Sequence, residues 1–128
     1  MRLSIALLLA VAIAASPAAG QGLPSPKGYL MIEHGPVTPD VVAALKPYSE
    51  ASRPLLEKYG GKFVVSGGRN RESVEGGWSP PFIVVIEFPS FEQAKAFYHS
   101  PEYQQILPIR LAALPGSKAI LVEGAVSP

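Results

Sequence analysis

The chain has 128 residues, with 11 basic and 10 acidic side chains, no cysteine, and hydrophobic residues at 48%. This length allows one domain, and the balanced charge excludes the strongly basic class of nucleic-acid-binding proteins. The lack of cysteine excludes disulfides, thiolate nucleophiles and cysteine-based zinc sites. No metal-ligand spacing and no glycine-rich phosphate loop occur either, so we expect no metal, no cofactor and no nucleic-acid partner.

Residues 1–20 have the order of a secretory signal peptide. Arg2 gives a cationic start, Leu3–Ala15 is an apolar run, and small residues follow it. We therefore predict a cleavable signal over 1–20 and an exported protein, periplasmic or secreted. The alternative is a retained membrane anchor, but the run is shorter than the roughly 20 apolar residues that span a bilayer. No stable membrane insertion is expected after cleavage.

Residues 21–27 are rich in proline and glycine and predict a flexible tether before a domain over 28–125. The apolar segment Tyr29–Glu33 predicts a first strand. Thr38 and Pro39 then suit the cap and the first position of a helix that ends at Gly60. Its apolar face contains Val41, Leu45, Tyr48, Leu55 and Tyr59. Because prolines 47 and 54 each remove a helical donor, we expect a kinked helix or two short ones.

The second half of the chain repeats this alternation of strands and helices. Lys62–Ser66 predicts a second strand, with a bulge or bend at the adjoining Gly67–Gly68 pair and a polar continuation over 69–75. Phe82–Phe88 is the clearest strand.

Two helical segments and a last strand follow. Ser90 with Gln93 has the spacing of a capping box. Ser100, before Pro101, restarts the helix, and Lys118–Glu123 predicts the fourth strand.

The element order βαββαβ predicts an α+β, ferredoxin-like fold with a four-stranded antiparallel sheet. Right-handed connections place the helices on one face of that sheet. The strands are nevertheless apolar on both faces, and a second copy of the chain would cover the free face. We therefore predict a homodimer, sheet against sheet, forming a dimeric α-β barrel; the alternative is a monomer with an open apolar sheet.

Three glutamates help to describe the face away from the helices. The helix-facing set is predicted to be Leu30, Ile32, Val84, Ile86, Ile120 and Val122. Glu33, Glu87 and Glu123 would then share the opposite face. They could line a polar cavity at the barrel mouth, or each could pair with a lysine or arginine at the sheet edge or dimer rim.

Several segments together resemble the domain of unknown function 1330 family. They are Lys58-Tyr59-Gly60-Gly61-Lys62-Phe63, Gly67-Gly68, Trp78, Val84–Phe91 and Ser100-Pro101-Glu102-Tyr103 followed by Arg110. The resemblance covers residues 27 to 125 and implies a ferredoxin-like dimeric α-β barrel without a settled activity. The family-matching residues with functional groups are Tyr48, Tyr59, Glu87, Ser100, Tyr103 and Arg110. Phe82 departs from the pattern, because the resemblance implies an arginine there.

The candidate ligand pocket consists of His34, Tyr59, Trp78, Glu87, Tyr103 and Arg110, and no catalytic residue is assigned. Arg110 could bind a ligand carboxylate through two hydrogen bonds, or could form an ion pair with Glu87 or Glu102. His34 could be a general base or only a polar strand end.

Two functions remain open. One is an exported homodimer that binds a small organic ligand or acts as an interaction module. The other is a cofactor-independent oxygenase- or isomerase-type enzyme that holds an organic substrate in the barrel cavity.

Overall fold

The computed structural model describes residues 24–126. The predicted signal peptide over 1–20, and residues 21–23 of the predicted tether, lie outside this range. None of the helices within 24–126 has the length and hydropathy that crossing a bilayer requires.

A four-stranded antiparallel sheet forms one layer of the domain. Its strands are β1 (Gly28–His34), β2 (Lys62–Gly67), β3 (Phe82–Phe88) and β4 (Lys118–Glu123). They lie in the order β2-β3-β1-β4, so the first and third strands occupy the centre. This order and the helices between the strands confirm the predicted ferredoxin-like α+β fold.

Three helices form the second layer: α1 (Pro39–Tyr59), α2 (Phe91–His99) and α3 (Pro101–Ala113). Thr38 caps α1 through its side chain, and Gly60 ends it at a φ of 74°, where glycine carries no Cβ strain. Both internal prolines lie within this one helix, so α1 is not two short helices. Ser100 separates α2 from α3, as the sequence predicted.

The connection between β2 and β3 differs from the expectation. Residues 68–81 contain neither helix nor strand, so the predicted continuation over 69–75 is not formed. Pairing between the two strands ends at Gly67 and Ile83, which leaves the polar segment no strand to pair with. The chain bends at Gly68, as one of the two alternatives predicted for the glycine pair, whereas the register irregularity lies between Phe63 and Val65.

The core lies between the sheet and the helices. Its buried residues are Leu30, Ile32, Leu56, Ile86, Phe88, Ala94, Phe97, Tyr103 and Leu107. Four of them come from the inner faces of β1 and β3, as predicted for those strands.

The face assignment of β4 was wrong. Leu30 is opposite Leu121, so Leu121 packs toward the helices, while Ile120 and Val122 lie on the other side of the sheet. Glu123, opposite Gly28, is therefore on the helix side and does not join the other two glutamates. The error arose because β4 is apolar on both faces, and alternation alone cannot fix its phase.

Candidate functional site

A cleft of about 430 Å³ lies between α1 and the helix-facing side of the sheet. α1 packs chiefly against α3 and α2 rather than against the strands. Ser49 and Ser52 occupy positions on the cleft side of α1 between Leu45 and Leu56, where they fill less space than leucines would. The space between helix and sheet is therefore left open.

The lining of this cleft is mostly apolar. Its buried inner wall includes Ile32, His34, Ser52, Leu56, Ile86, Phe97, Arg110 and Leu114. Its mouth is marked by large apolar side chains that remain exposed, namely Val37, Val42 and Phe63. An apolar wall with a few polar groups is typical of small-molecule sites.

His34 is one of the polar groups on the inner wall. It ends β1, is 9% exposed, and its Nδ1 lies 2.8 Å from the carbonyl oxygen of Gly35. A carbonyl can only accept, so Nδ1 is the donor in this contact, which is the tautomer that has its lone pair on Nε2 when the ring is neutral. The ring stacks on Phe82 at 4.7 Å between centroids, so Phe82 covers one face of His34.

A second polar group is formed by two tyrosines and an arginine. The hydroxyls of Tyr48 and Tyr103 lie 2.9 Å apart, and Tyr48 lines the cleft while Tyr103 is fully buried behind it. Arg110 is 4% exposed; its Nη1 donates to Ser117 Oγ at 3.2 Å. The Nε of Arg110 is buried and has no hydrogen-bond partner within residues 24–126.

The Tyr48 hydroxyl is strongly influenced by this environment. Burial raises its pKa, and the neighbouring Tyr103 raises it further, whereas the Arg110 guanidinium opposes the shift. Tyr48 is therefore a neutral hydrogen-bonding group at physiological pH, able to donate or accept but not to act as an anion.

The other predicted pocket residues lie elsewhere. Tyr59 is half-buried near the end of α1, with its ring 6.0 Å from that of Phe97. Trp78 is 62% exposed, and Glu87 accepts a hydrogen bond from the Tyr29 hydroxyl at 3.2 Å. Of the six predicted residues, His34 and Arg110 line the cleft and Tyr103 supports it through Tyr48. Tyr59, Trp78 and Glu87 do not line it.

The sheet face away from the helices, called the open face below, carries a smaller hollow of about 190 Å³. Trp78 Nε1 donates to Glu33 Oε2 at 2.9 Å, and Lys118 Nζ lies 3.5 Å from Glu33 Oε1. Glu33 therefore pairs with a lysine, which agrees with the alternative that the glutamates form ion pairs rather than line a cavity. The remaining exposed apolar side chains of the open face are Met31, Val65, Ile120 and Val122.

Ser100, a further family-matching residue, serves the fold. Its Oγ donates to the carbonyl of Phe97 and accepts from the amide of Tyr103, so it caps α3. Across residues 24–126 there is no group of three or more His, Asp or Glu side chains placed to hold a metal ion.

Sequence reasoning left Phe63, Phe82, Ser49 and Ser52 out of the candidate pocket. Ser52, a serine within the otherwise apolar stripe of α1, was the available signal. Serine on a core-facing stripe marks a place where the packing is incomplete or polar.

Comparison with known proteins places the fold and the family. The model of the DUF1330 family, a domain of unknown function, matches residues 27–125. A protein of unknown function from Rhodopseudomonas palustris is 20% identical, with a TM-score of 0.60 over 81% of this chain and 85% of its own. A dimeric ferredoxin-like protein of unknown function from Jannaschia sp. CCS1 is 15% identical, with a TM-score of 0.55 over 78% of this chain and 99% of its own.

The search of curated proteins gave no match. The two similar structures share the fold of this chain, and the family match extends across nearly all of the described residues. The chain belongs to the DUF1330 family.

Proposed function

We propose that the protein binds a small organic molecule in the cleft between α1 and the sheet. The observation that carries this is the cleft itself, about 430 Å³ with an apolar wall and buried polar groups at its inner end. Ligand sites commonly measure roughly 300–1,000 Å³ and have this mixture of groups.

The test is native mass spectrometry of the full chain, followed by ligand-observed NMR with a panel of small organic compounds. The variant Ser49→Trp places an indole in the cleft from an exposed helical position. Ala44→Trp, at an exposed position of the same helix outside the cleft lining, is the matched control. Binding that is lost in the first variant and kept in the second supports the proposal. Binding that is equal in both variants, or absent from the unaltered protein, refutes it.

We propose further that a second copy of the chain covers the open face. Ile120 is 59% exposed and Val65 45% exposed there, and apolar patches of this kind mark interfaces. The similar protein from Jannaschia sp. CCS1 is described as dimeric, which supports the same arrangement here. Two sheets packed in this way would complete the dimeric α-β barrel.

Sedimentation should give a dimer for the unaltered protein and a monomer for Ile120→Lys. If both proteins are monomers at micromolar concentration, the barrel is refuted.

Export remains a proposal that rests on residues 1–20. We expect the protein outside the cytoplasm, with a mature N-terminus at Gln21. Cell fractionation with N-terminal sequencing tests this, and full-length protein in the cytoplasm would contradict it.

A second candidate function is cofactor-independent catalysis of the oxygenase or isomerase type. The observation that favours it is His34, a buried histidine on the cleft wall whose neutral form keeps a lone pair on Nε2. Such a group could remove a proton from a bound carbon acid. His34→Gln should then abolish exchange of a ligand C–H in D₂O while binding persists. If the unaltered protein does not exchange the ligand C–H either, the catalytic hypothesis is refuted and only ligand binding is left.

A further inference from the structure

Arg110 is a buried cation on the inner wall of the cleft. It lies in the last turn of α3 and is 4% exposed, and the cleft is the cavity that it borders. One hydrogen bond, from Nη1 to Ser117 Oγ, is in place and the guanidinium lies beside the Tyr48 hydroxyl, while Nε has no partner within residues 24–126. A guanidinium removed from water with an orphaned donor lacks much of the compensation that buried charges normally have.

No carboxylate of the described chain neutralises this cation. The ion pairs within residues 24–126 are Lys46–Glu50, Lys95–Glu92 and Lys118–Glu33. Of the two acids considered as partners for Arg110, Glu87 lies on the open face and bonds Tyr29. Glu102 is exposed in the first turn of α3, just over two turns before Arg110. The residues that line the cleft include two arginines and a histidine but no Asp or Glu.

Two neighbouring groups complete the inner end. The Tyr48 and Tyr103 hydroxyls are hydrogen-bonded to each other, and only one of the two protons is used in that bond. If Tyr103 donates to Tyr48, the Tyr48 proton remains available on the cleft side. Both groups, the guanidinium and the neutral phenol, donate hydrogen bonds, and both therefore suit an acceptor with negative charge.

We propose, on the basis of the ligand-binding function above, that the ligand is an organic carboxylate with a mostly apolar body. Its carboxylate pairs with Arg110 and accepts from Tyr48, and its body extends past the apolar wall toward Val42 and Phe63 at the mouth. A guanidinium presents parallel donors that match the two oxygens of a carboxylate. A phosphate dianion fits less well, because the inner wall offers one buried arginine and no array of backbone amides such as a glycine-rich loop provides.

The experiment is isothermal titration of the full chain with matched pairs of probes: 2-naphthoate against 2-naphthamide, and octanoate against octanamide. Each pair keeps one body and replaces the charged carboxylate by a neutral amide of similar shape, which has one acceptor oxygen instead of two. We expect the acids to bind at least about tenfold tighter than the amides, the smallest factor that a charge-assisted hydrogen bond in a buried site should give. 2-Naphthyl phosphate is included, and tighter binding of the phosphate than of 2-naphthoate would overturn the carboxylate assignment.

Variants of Arg110 identify the group responsible. Arg110→Met should remove the preference for the acids, lowering their affinity at least about tenfold while the amides change by less than about threefold. Arg110→Lys keeps the charge and should restore part of the preference. Arg69→Met, at an exposed arginine in the β2–β3 connection, is the matched control and should behave like the unaltered protein.

The outcomes separate this inference from the proposed function. If acids and amides bind equally, and Ser49→Trp blocks both, the cleft binds small molecules but the carboxylate assignment is wrong. If neither class binds, the carboxylate assignment is overturned, and the panel of compounds described under the proposed function decides separately whether the cleft binds another small molecule. If Arg110→Met does not fold, the comparison of acid with amide in the unaltered protein and in Arg110→Lys still decides the question.

Discussion

Replacing Arg110 by methionine should stabilise the protein when no ligand is bound. The guanidinium is 4% exposed, has one hydrogen bond to Ser117 and pairs with no carboxylate of residues 24–126. Desolvating such an ion costs several kcal/mol in real proteins. Methionine is unbranched and flexible, so it can occupy much of the same space without a charge.

Two favourable contributions of Arg110 to the folded state reduce the increase in unfolding free energy that we expect from Arg110→Met. The hydrogen bond to Ser117 is charge-assisted and worth about 1.5–3 kcal/mol. The last turn of α3 adds a favourable helix dipole of about 0.3–1 kcal/mol. Ser117 is only half-buried and can bond water once its partner is gone. We therefore expect a net stabilisation of about 1–2 kcal/mol, at the lower end of what removal of buried ionic groups has given.

The assay is urea unfolding of protein freed of retained ligand by unfolding and refolding. The midpoint should rise without a change in the slope m, because the surface exposed on unfolding is nearly the same. In a domain of this size each kcal/mol corresponds to about 4–8 °C in melting temperature. If Arg110→Met is instead destabilised by more than about 1 kcal/mol at constant m, the guanidinium is a structural group and the reasoning is refuted.

Ligand should reduce the stability advantage of Arg110→Met over the unaltered protein. A compound that binds only the folded state stabilises it by about 2.7 kcal/mol at a hundredfold excess over Kd. With 2-naphthoate at that excess, the unaltered protein should therefore gain more than Arg110→Met. If 2-naphthoate stabilises both proteins equally, Arg110 does not recognise the carboxylate.

Three further predictions test other parts of the structure. Burial raises the pKa of Tyr48 in the folded state above the value near 10 that it has in the unfolded chain. The unfolding free energy should therefore be independent of this group below about pH 10, and should decrease above it by up to about 1.4 kcal/mol per pH unit. Tyr48→Phe should lessen this fall in urea titrations between pH 9 and 12; an unchanged fall would contradict it. Ser100→Ala removes the cap of α3 and should lower the unfolding free energy by about 1–2 kcal/mol in urea, whereas a change below about 0.3 kcal/mol would show that the cap is replaceable. Trp78 is the single tryptophan and is 62% exposed beside the open face, so its emission should shift to the red when a dimer is diluted to monomer. Ile120→Lys should show the red-shifted emission at every concentration. If the emission wavelength of the unaltered protein also does not change with concentration, this argues against a dimer through the open face.

Most of the fold could be predicted because its signals are local. Thr38 and Ser100 bond the backbone amides three residues ahead, and Gly60 has the left-handed conformation expected at a helix end. Phe82–Phe88 forms the strand that its composition predicts. Each of these features depends on neighbours within a few residues, so the sequence contains the information directly.

The face of β4 and the membership of the site could not be predicted in the same way. Whether Leu121 or Ile120 points to the helices depends on which residue of β1 lies opposite, and this register is a long-range property. Glu87 was assigned to the correct face of the sheet, but the sequence does not show on which side of the sheet the cleft lies, so Glu87 and Trp78 were grouped with His34 and Arg110. Arg110 could be assigned to the inner wall only once α3 was packed beside the cleft.

The same strand separates the two surfaces that we propose to be functional. In β1, Ile32 lines the cleft, whereas its neighbours Met31 and Glu33 lie on the open face. Ligand binding and dimerisation therefore use mainly alternate side chains of one strand, with Ile32 bordering both the cleft and the hollow of the open face. A substitution at Ile120 should disrupt the dimer while Arg110 keeps its preference for acids. If both are lost together, the cleft depends on the packed sheet of the dimer for its shape, and the barrel is the functional unit.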